Sequence, residues 1–257
     1  MFAFSVTHRR PSVRPLASVA AACAIVLASL ALGAAAARAQ GEPSSAPAPS
    51  SRLDARGVAA LVQSFYDQMR TIEAHFEQTR FTKLYDRTDR AHGTVVFKKP
   101  GRMRWDYDAP NGQIFVSDGQ TLRIYQPPEE GEAHGQVIER SVDAAQLPEA
   151  LSFLTGTGRL ARDFEMRLLE PPEGSPADLY VLELRPRTPS PRYDRVLFFV
   201  RVVHAGGRAA GVIERVVILD AVGNRNQFDF SKLRFNRAVP DSRFTLKVPK
   251  GTRRIRK

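Results

Sequence analysis

Residues 102–108 read Arg-Met-Arg-Trp-Asp-Tyr-Asp, an unbroken alternation. Met103, Trp105 and Tyr107 fall on one side, and every other position is charged. Successive strand side chains point to opposite faces, so this period of two fits a strand with one greasy, aromatic face and one solvated face. Much of the chain repeats the theme, with Phe76, Val95 and Phe97, Leu122 and Ile124, Phe164 and Met166, Phe198 and Val200, and Phe228 and Phe230. Strands are expected over 73–85, 92–98, 102–108, 112–117, 121–126, 135–141, 163–170, 178–185, 195–204, 212–219, 225–236 and 242–248. Asp118-Gly119 supplies hairpin chemistry between two of them, and Lys99-Pro100-Gly101 a tight turn. Residues 171–178 and 204–211 read as loops.

Only two stretches have helical period. In 53–72, Val58, Leu61, Val62, Phe65, Met69 and Ile72 recur at steps of three and four, with Ser51 or Asp54 placed to cap. In 143–153, Leu147, Ala150 and Leu151, with Leu154 just beyond, share a side. Short spacing and hairpin turns favour antiparallel order, and two helices are too few for βαβ units.

The first 39 residues are of another kind. Basic His8, Arg9, Arg10 and Arg14 precede an apolar run over 16–37, which closes on Ala37-Arg38-Ala39 with no acid anywhere. That order fits a secretory signal peptide cleaved after Ala39; an uncleaved anchor is the alternative that a run of this length raises. The only cysteine, Cys23, lies inside the segment, so the exported chain relies on a packed core rather than disulfides. Residues 40–52 read as a Pro/Ala/Ser linker, 53–251 as one domain and 252–257 as a basic tail. Removing Arg9, Arg10, Arg14 and Arg38 lowers the net charge from +11 to +7, an excess that suits transient contact with anionic membrane surfaces. Export argues against nucleic acid as the partner.

Signals of catalysis are scarce. His75, His92, His134 and His204 have no metal-ligand spacing, and the chain has no G-x-S-x-G, Walker or SxxK motif. The acidic pairs Asp106/Asp108 and Glu129/Glu130 fall on the solvated face of a strand and in a Pro-flanked loop. No enzyme activity, metal or cofactor is expected. A long apolar face that two short helices only partly cover instead marks a binding site. Burying hydrocarbon yields about 0.8 kcal/mol per CH₂, enough for such a face to hold acyl chains without covalent chemistry.

Residues 97–127, FKKPGRMRWDYDAPNGQIFVSDGQTLRIYQP, resemble the periplasmic lipoprotein carriers of the LolA family. The likeness lies in a basic residue and Pro before an aromatic strand, a Pro turn, a V-S-D-G hairpin and a Tyr-containing strand end. Residues 148–164 look like that family's central helix and loop, and 218–230 fit its Asp-x-x-Gly-Asn hairpin. The resemblance implies a mainly β fold: an incomplete antiparallel β-barrel of about eleven strands, with a helical lid over an apolar cavity. It implies a monomeric periplasmic carrier of acylated lipoproteins, loaded by an inner-membrane ABC-type release complex and, in some organisms, unloaded by an outer-membrane receptor. The acyl-chain cavity would be lined by Phe76, Val95, Phe97, Met103, Trp105, Tyr107, Leu122, Ile124, Phe153, Leu154 and Phe164. Lys99 stands where some members carry an arginine that latches the lid to backbone carbonyls, and Met103 where some place Phe at the cavity mouth. A carrier or sensor of other amphiphiles such as glycolipids, and an envelope hydrolase, are the competing functions.

Overall fold

The computed structural model describes residues 52–141 and 158–256. The signal segment, nearly all of the linker and the helix expected over 143–153 lie outside these residues, and so do Phe153 and Leu154.

Helix α1 spans Ala55–Gln68, shorter at both ends than its apolar period suggests. Its N-cap is Asp54, whose carboxylate accepts from the Gly57 amide at 2.7 Å and satisfies one of the orphan donors of the first turn. The helix stops at Met69, whose backbone is already extended, and Ile72 belongs to the following strand. Val58, Ala59, Val62 and Tyr66 form its buried stripe. Burial at about 1.5–3 kcal/mol for each large apolar side chain is what holds a helix of this length on the sheet.

The strands are β1 (Thr71–Thr82), β2 (Arg87–Lys98), β3 (Arg102–Tyr107), β4 (Ile114–Asp118), β5 (Thr121–Gln126), β6 (Gln136–Ser141), β7 (Phe164–Leu169), β8 (Leu179–Pro186), β9 (Arg195–Ala205), β10 (Arg208–Leu219), β11 (Arg225–Phe235) and β12 (Arg253–Arg256). A single turn of helix, α2 (Leu160–Asp163), leads into β7. All twelve strands form one open sheet in the order β12-β6-β5-β4-β3-β2-β1-β11-β10-β9-β8-β7. The central pairing of β1 with β11 joins the two halves of the chain, with Phe76 opposite Phe230. Through β2 and β3 that row continues as Gly93 and Tyr107, and the next inward row runs Ala74, Val95 and Trp105.

Several expectations need correction. Residues 204–211 are not a loop: β9 and β10 meet in a two-residue turn, Gly206-Gly207, where both residues have positive φ. Two residues in that conformation give the turn whose twist matches paired strands, and glycine adopts it without steric cost. The small residues after it serve packing, since a Cβ on Gly211 would stand 2.8 Å from Val62 Cγ2 and 2.9 Å from the Val62 amide nitrogen. α1 therefore rests directly on the backbone of β10. Residues 242–248 are not a strand. Asp241–Phe244 form a 3-10 turn, and Phe244 and Leu246 pack with Val239 on Val96, Val116 and Ile114. The basic tail is a strand: β12 pairs parallel with β6, the exception to antiparallel order.

The outer face of β2 and β3 is consequently not simply wet. Lys98 Nζ donates to Val239 O and to the Asp241 carboxylate, both at 2.6 Å. Arg102 reaches Asp241 at 2.8 Å, and Arg104 donates to the carbonyls of Arg243 and Thr245 while gripping Asp106. The charged half of the alternating heptapeptide thus clamps the C-terminal strap across the back of the sheet. Charge-assisted bonds to carbonyls do this better than neutral ones.

A cavity at one end of an aromatic sheet face

The inward side chains gather into one core. Phe76, Val95, Phe97, Met103, Trp105, Leu122 and Phe164 are buried in it, with Tyr107 and Ile124 packed against its margin. Aromatic rings form its centre. Phe76 meets Trp105 and Tyr107 edge to face, each with centroids 4.9 Å apart, and Phe97 stands perpendicular to Trp105 at 5.8 Å. Phe228 adds a further ring 5.3 Å from Trp105. Edge-to-face geometry satisfies the ring quadrupoles and contributes beyond area burial.

Open space is unevenly distributed over this face. Beneath the C-terminal half of α1, where Val95 and Phe97 meet Tyr66, Ile72, Ile213 and Phe230, the remaining void is only 20 Å³. At the other end of the same strands lies a cavity of about 600 Å³, bounded by Trp105, Tyr107, Phe115, Tyr193, Ile218 and Phe228. Its rim is polar and cationic, with Gln78, Arg80, Asn226, Arg225, Arg192 and Asp220. Burial pushes the Tyr107 hydroxyl up to about 12, with Arg80 opposing, so the group is a neutral donor at the cavity wall.

Of the residues expected to line a cavity, Trp105 and Tyr107 border the large opening. Val95 and Phe97 border the small void, while Phe76, Met103, Leu122, Ile124 and Phe164 border neither. Phe115 and Ile218 escaped the sequence reading. Phe115 sits directly opposite Trp105 in the β3–β4 register, so cross-strand pairing would have found it; alternation within its own strand did not.

Lys99, the expected latch, reaches the C-terminal end of α1. Its Nζ donates to Tyr66 O at 2.6 Å and to Asp67 O at 3.2 Å. Tyr66 O also accepts from the Met69 amide at 3.2 Å, at the C-cap. Carbonyls at a helix end have spare acceptor capacity, and a lysine is a natural partner for them. Burial lowers the Lys99 pKa, against the pull of Asp67 and with the push of Arg159. Tyr66 ties the same turn to the sheet, accepting at its hydroxyl from the Ile213 amide at 3.2 Å.

The acidic pairs are peripheral. Asp106 is held by Arg104 on the outer face, Asp108 is exposed beside His92, and Glu129 and Glu130 lie in an exposed loop. Among the described residues no cluster of His, Cys, Asp and Glu has the arrangement of a metal site.

The family described as "Outer membrane lipoprotein carrier protein LolA" matches residues 67–247. This chain belongs to the LolA family. It is 29% identical over 201 residues to the outer-membrane lipoprotein carrier protein of Nitrosospira multiformis, covering 78% of this chain and 89% of the relative. It is also 29% identical over 204 residues to the protein of the same description from Pseudomonas entomophila, covering 79% and 90%. Among solved structures, a LolA superfamily protein from Nitrosomonas europaea aligns at 18% identity with a TM-score of 0.43, over 76% of this chain and 99% of that one. The matched residues of the family run from the last turn of α1 through all the strands around the cavity to the strap behind the sheet.

Proposed function

We propose that this LolA-family chain is a periplasmic carrier that shelters the acyl chains of lipoproteins on their way from the inner to the outer membrane. The observation that carries the reading is the cavity of about 600 Å³ walled by aromatic rings and rimmed by polar and cationic groups. Apolar walls with a few polar groups at the entrance match the chemistry of an amphiphile, hydrocarbon inside and headgroup out. That volume suits a drug-sized ligand, for which sites run to about 300–1,000 Å³, whereas a lipoprotein anchor carries several acyl chains. Loading therefore requires α1 to move and open the dry, apolar space beneath it. On this reading the protein reaches the periplasm after cleavage behind Ala39, receives cargo from an ABC-type release complex, and passes it to an outer-membrane acceptor. It does so without catalysis.

Lys99 is then the latch. Replacing it with alanine leaves Asp67 O without its donor and Tyr66 O with only the long bond from the Met69 amide at 3.2 Å, and should cost about 1 kcal/mol. The decisive reading is local. Amide hydrogen exchange should rise along Ala55–Gln68 and stay unchanged in β2 and β3, and Lys99→Arg should restore protection. Unaltered exchange in α1 would remove the latch.

The function itself is tested by native mass spectrometry of protein recovered from its own periplasm. A bound acylated polypeptide is expected. A free lipid in its place would move the reading to another amphiphile, and turnover of an ester or a glycoside would end the carrier reading.

A further inference from the structure

The largest exposed apolar side chains among the described residues are not scattered. Leu84 is 81% exposed, Tyr85 74% and Val222 68%. They sit on two adjoining hairpin tips: Lys83–Tyr85 form the 3-10 turn between β1 and β2, and Val222 crowns the turn between β10 and β11. The tips are joined, since the Lys83 amide donates to Asn224 Oδ1 at 2.9 Å and a Cβ on Gly223 would stand 2.7 Å from Lys83 Cδ. The second turn is braced from within. Asp220 Oδ1 accepts from the amides of Val222 at 3.1 Å and Asn224 at 2.8 Å, while Asp220 Oδ2 takes the Asn224 side-chain amide at 2.7 Å. Val222 is therefore presented to solvent by a fixed turn, and Leu84 and Tyr85 stand beside it.

Charge around these tips favours a negative surface. Asp89 is shared by Arg80 and Arg87, and Asp220 is spent on its own turn. Asp86 is the exposed acid beside Tyr85, so that Arg80, Lys83, Arg87 and Arg225 still outnumber the acids. Among the described residues the side chains of Lys83 and Arg225 form no ion pair. The tips also adjoin the cavity mouth: Phe81 and Thr82 precede Lys83, Asn224 and Arg225 follow Val222, and all four border the opening. Apolar residues on a braced projection, among basic residues that outnumber the acids, have the chemistry of a group that enters the headgroup region of an anionic bilayer.

We infer that the paired tips around Leu84, Tyr85 and Val222 dock the protein on anionic lipid, with the cavity mouth turned to the membrane surface. This rests on the carrier reading for its purpose but on separate residues for its evidence. Docking in this orientation lets acyl chains pass between bilayer and cavity with little exposure to water, which would otherwise cost about 0.8 kcal/mol per CH₂.

The test is sedimentation of the exported protein with vesicles of phosphatidylethanolamine and phosphatidylglycerol, compared with phosphatidylcholine alone. A soluble fluorescent acyl probe measures cavity binding in parallel. The wild type should bind the anionic vesicles, less so as salt is raised. The triple variant Leu84→Ser, Tyr85→Ser, Val222→Ser should lose at least about tenfold in vesicle affinity. Lys83→Glu with Arg225→Glu should also weaken binding, at about fivefold for each basic residue removed from the surface. All three substituted positions of the triple variant are exposed, so the fold and probe capture should be retained. Vesicle binding by the triple variant within twofold of wild type would overturn the inference. So would a wild type that sediments with neither vesicle, which would leave the tips to a protein surface. A wild type that docks through the tips yet captures no acyl probe would instead sink the carrier reading and leave docking intact.

Discussion

Gly93→Val should lower the stability of the domain by about 3–5 kcal/mol and bring its denaturant midpoint down accordingly. Gly93 lies in β2 between Phe76 of β1 and Tyr107 of β3. With no side chain at that place, the two rings close over it to a centroid distance of 4.9 Å. A Cβ would stand 2.0 Å from Asp106 O and 3.0 Å from Phe76 Cε1. The first of these is backbone, so rotation of a side chain cannot relieve it; β2 and β3 must part. Because folded domains hold only about 5–15 kcal/mol in reserve, this one substitution would take a large share. The only tryptophan, Trp105, neighbours the site and should report the change by a red-shifted emission. Valine at Thr94, on the other face of the same strand, should change stability by less than about 1 kcal/mol. Equal effects at 93 and 94 would show that the ring contact over Gly93 is not what holds the inner face together.

The same region shows why parts of this fold can be read from sequence. Alternation in 102–108 reports local geometry, and a strand's two faces follow from it whatever its neighbours are. The inward set Met103, Trp105 and Tyr107 was therefore legible, and so was the broad architecture of an open antiparallel sheet with little helix. What alternation cannot report is what each face meets. The outward Lys98, Arg102 and Arg104 look solvated in sequence, yet they hold the carbonyls and carboxylate of the strap at 239–246. In that strap Phe244 and Leu246 alternate like a strand while plugging the back of the sheet. Arg253–Arg256 has a single apolar residue and no visible period, since its ordering comes from a parallel pairing with β6 more than a hundred residues away in sequence. Long-range pairings of this kind leave no local trace.

The position of the cavity was illegible for a related reason. Many inner-face residues are aromatic or aliphatic, and sequence cannot tell which of them α1 covers. Gly211 settles this by letting the helix sit on the backbone of β10 at one end of the strands. The opposite end is left open around Trp105, Phe115 and Phe228. A glycine in what reads as a loop thus decides which half of an apolar face is core and which is available. The hairpin tips that border the open half also carry the exposed apolar residues, so the fold places its cavity mouth and its most hydrophobic projection at one end.

A carboxylate at position 105 should abolish acyl binding, with at least about a hundredfold loss of affinity for a fluorescent acyl probe. Trp105 is only 4% exposed and borders the cavity with its ring held among Phe76, Phe97 and Phe228. Ionising a group there forfeits its hydration with no cation supplied in return, an effective penalty of several kcal/mol, and each 1.4 kcal/mol is tenfold in affinity. The indole also permits a sharper control. Trp105 Nε1 is buried without a hydrogen-bond partner, so Trp105→Phe removes a donor that satisfies nothing and should keep binding within about threefold. Since Trp105→Glu could act by unfolding the sheet, Phe115→Glu provides the second arm: Phe115 is only partly buried at the cavity wall, so the fold should persist while binding fails. A Phe115→Glu protein that folds, by circular dichroism, and binds the probe like wild type would mean that acyl chains do not use this cavity.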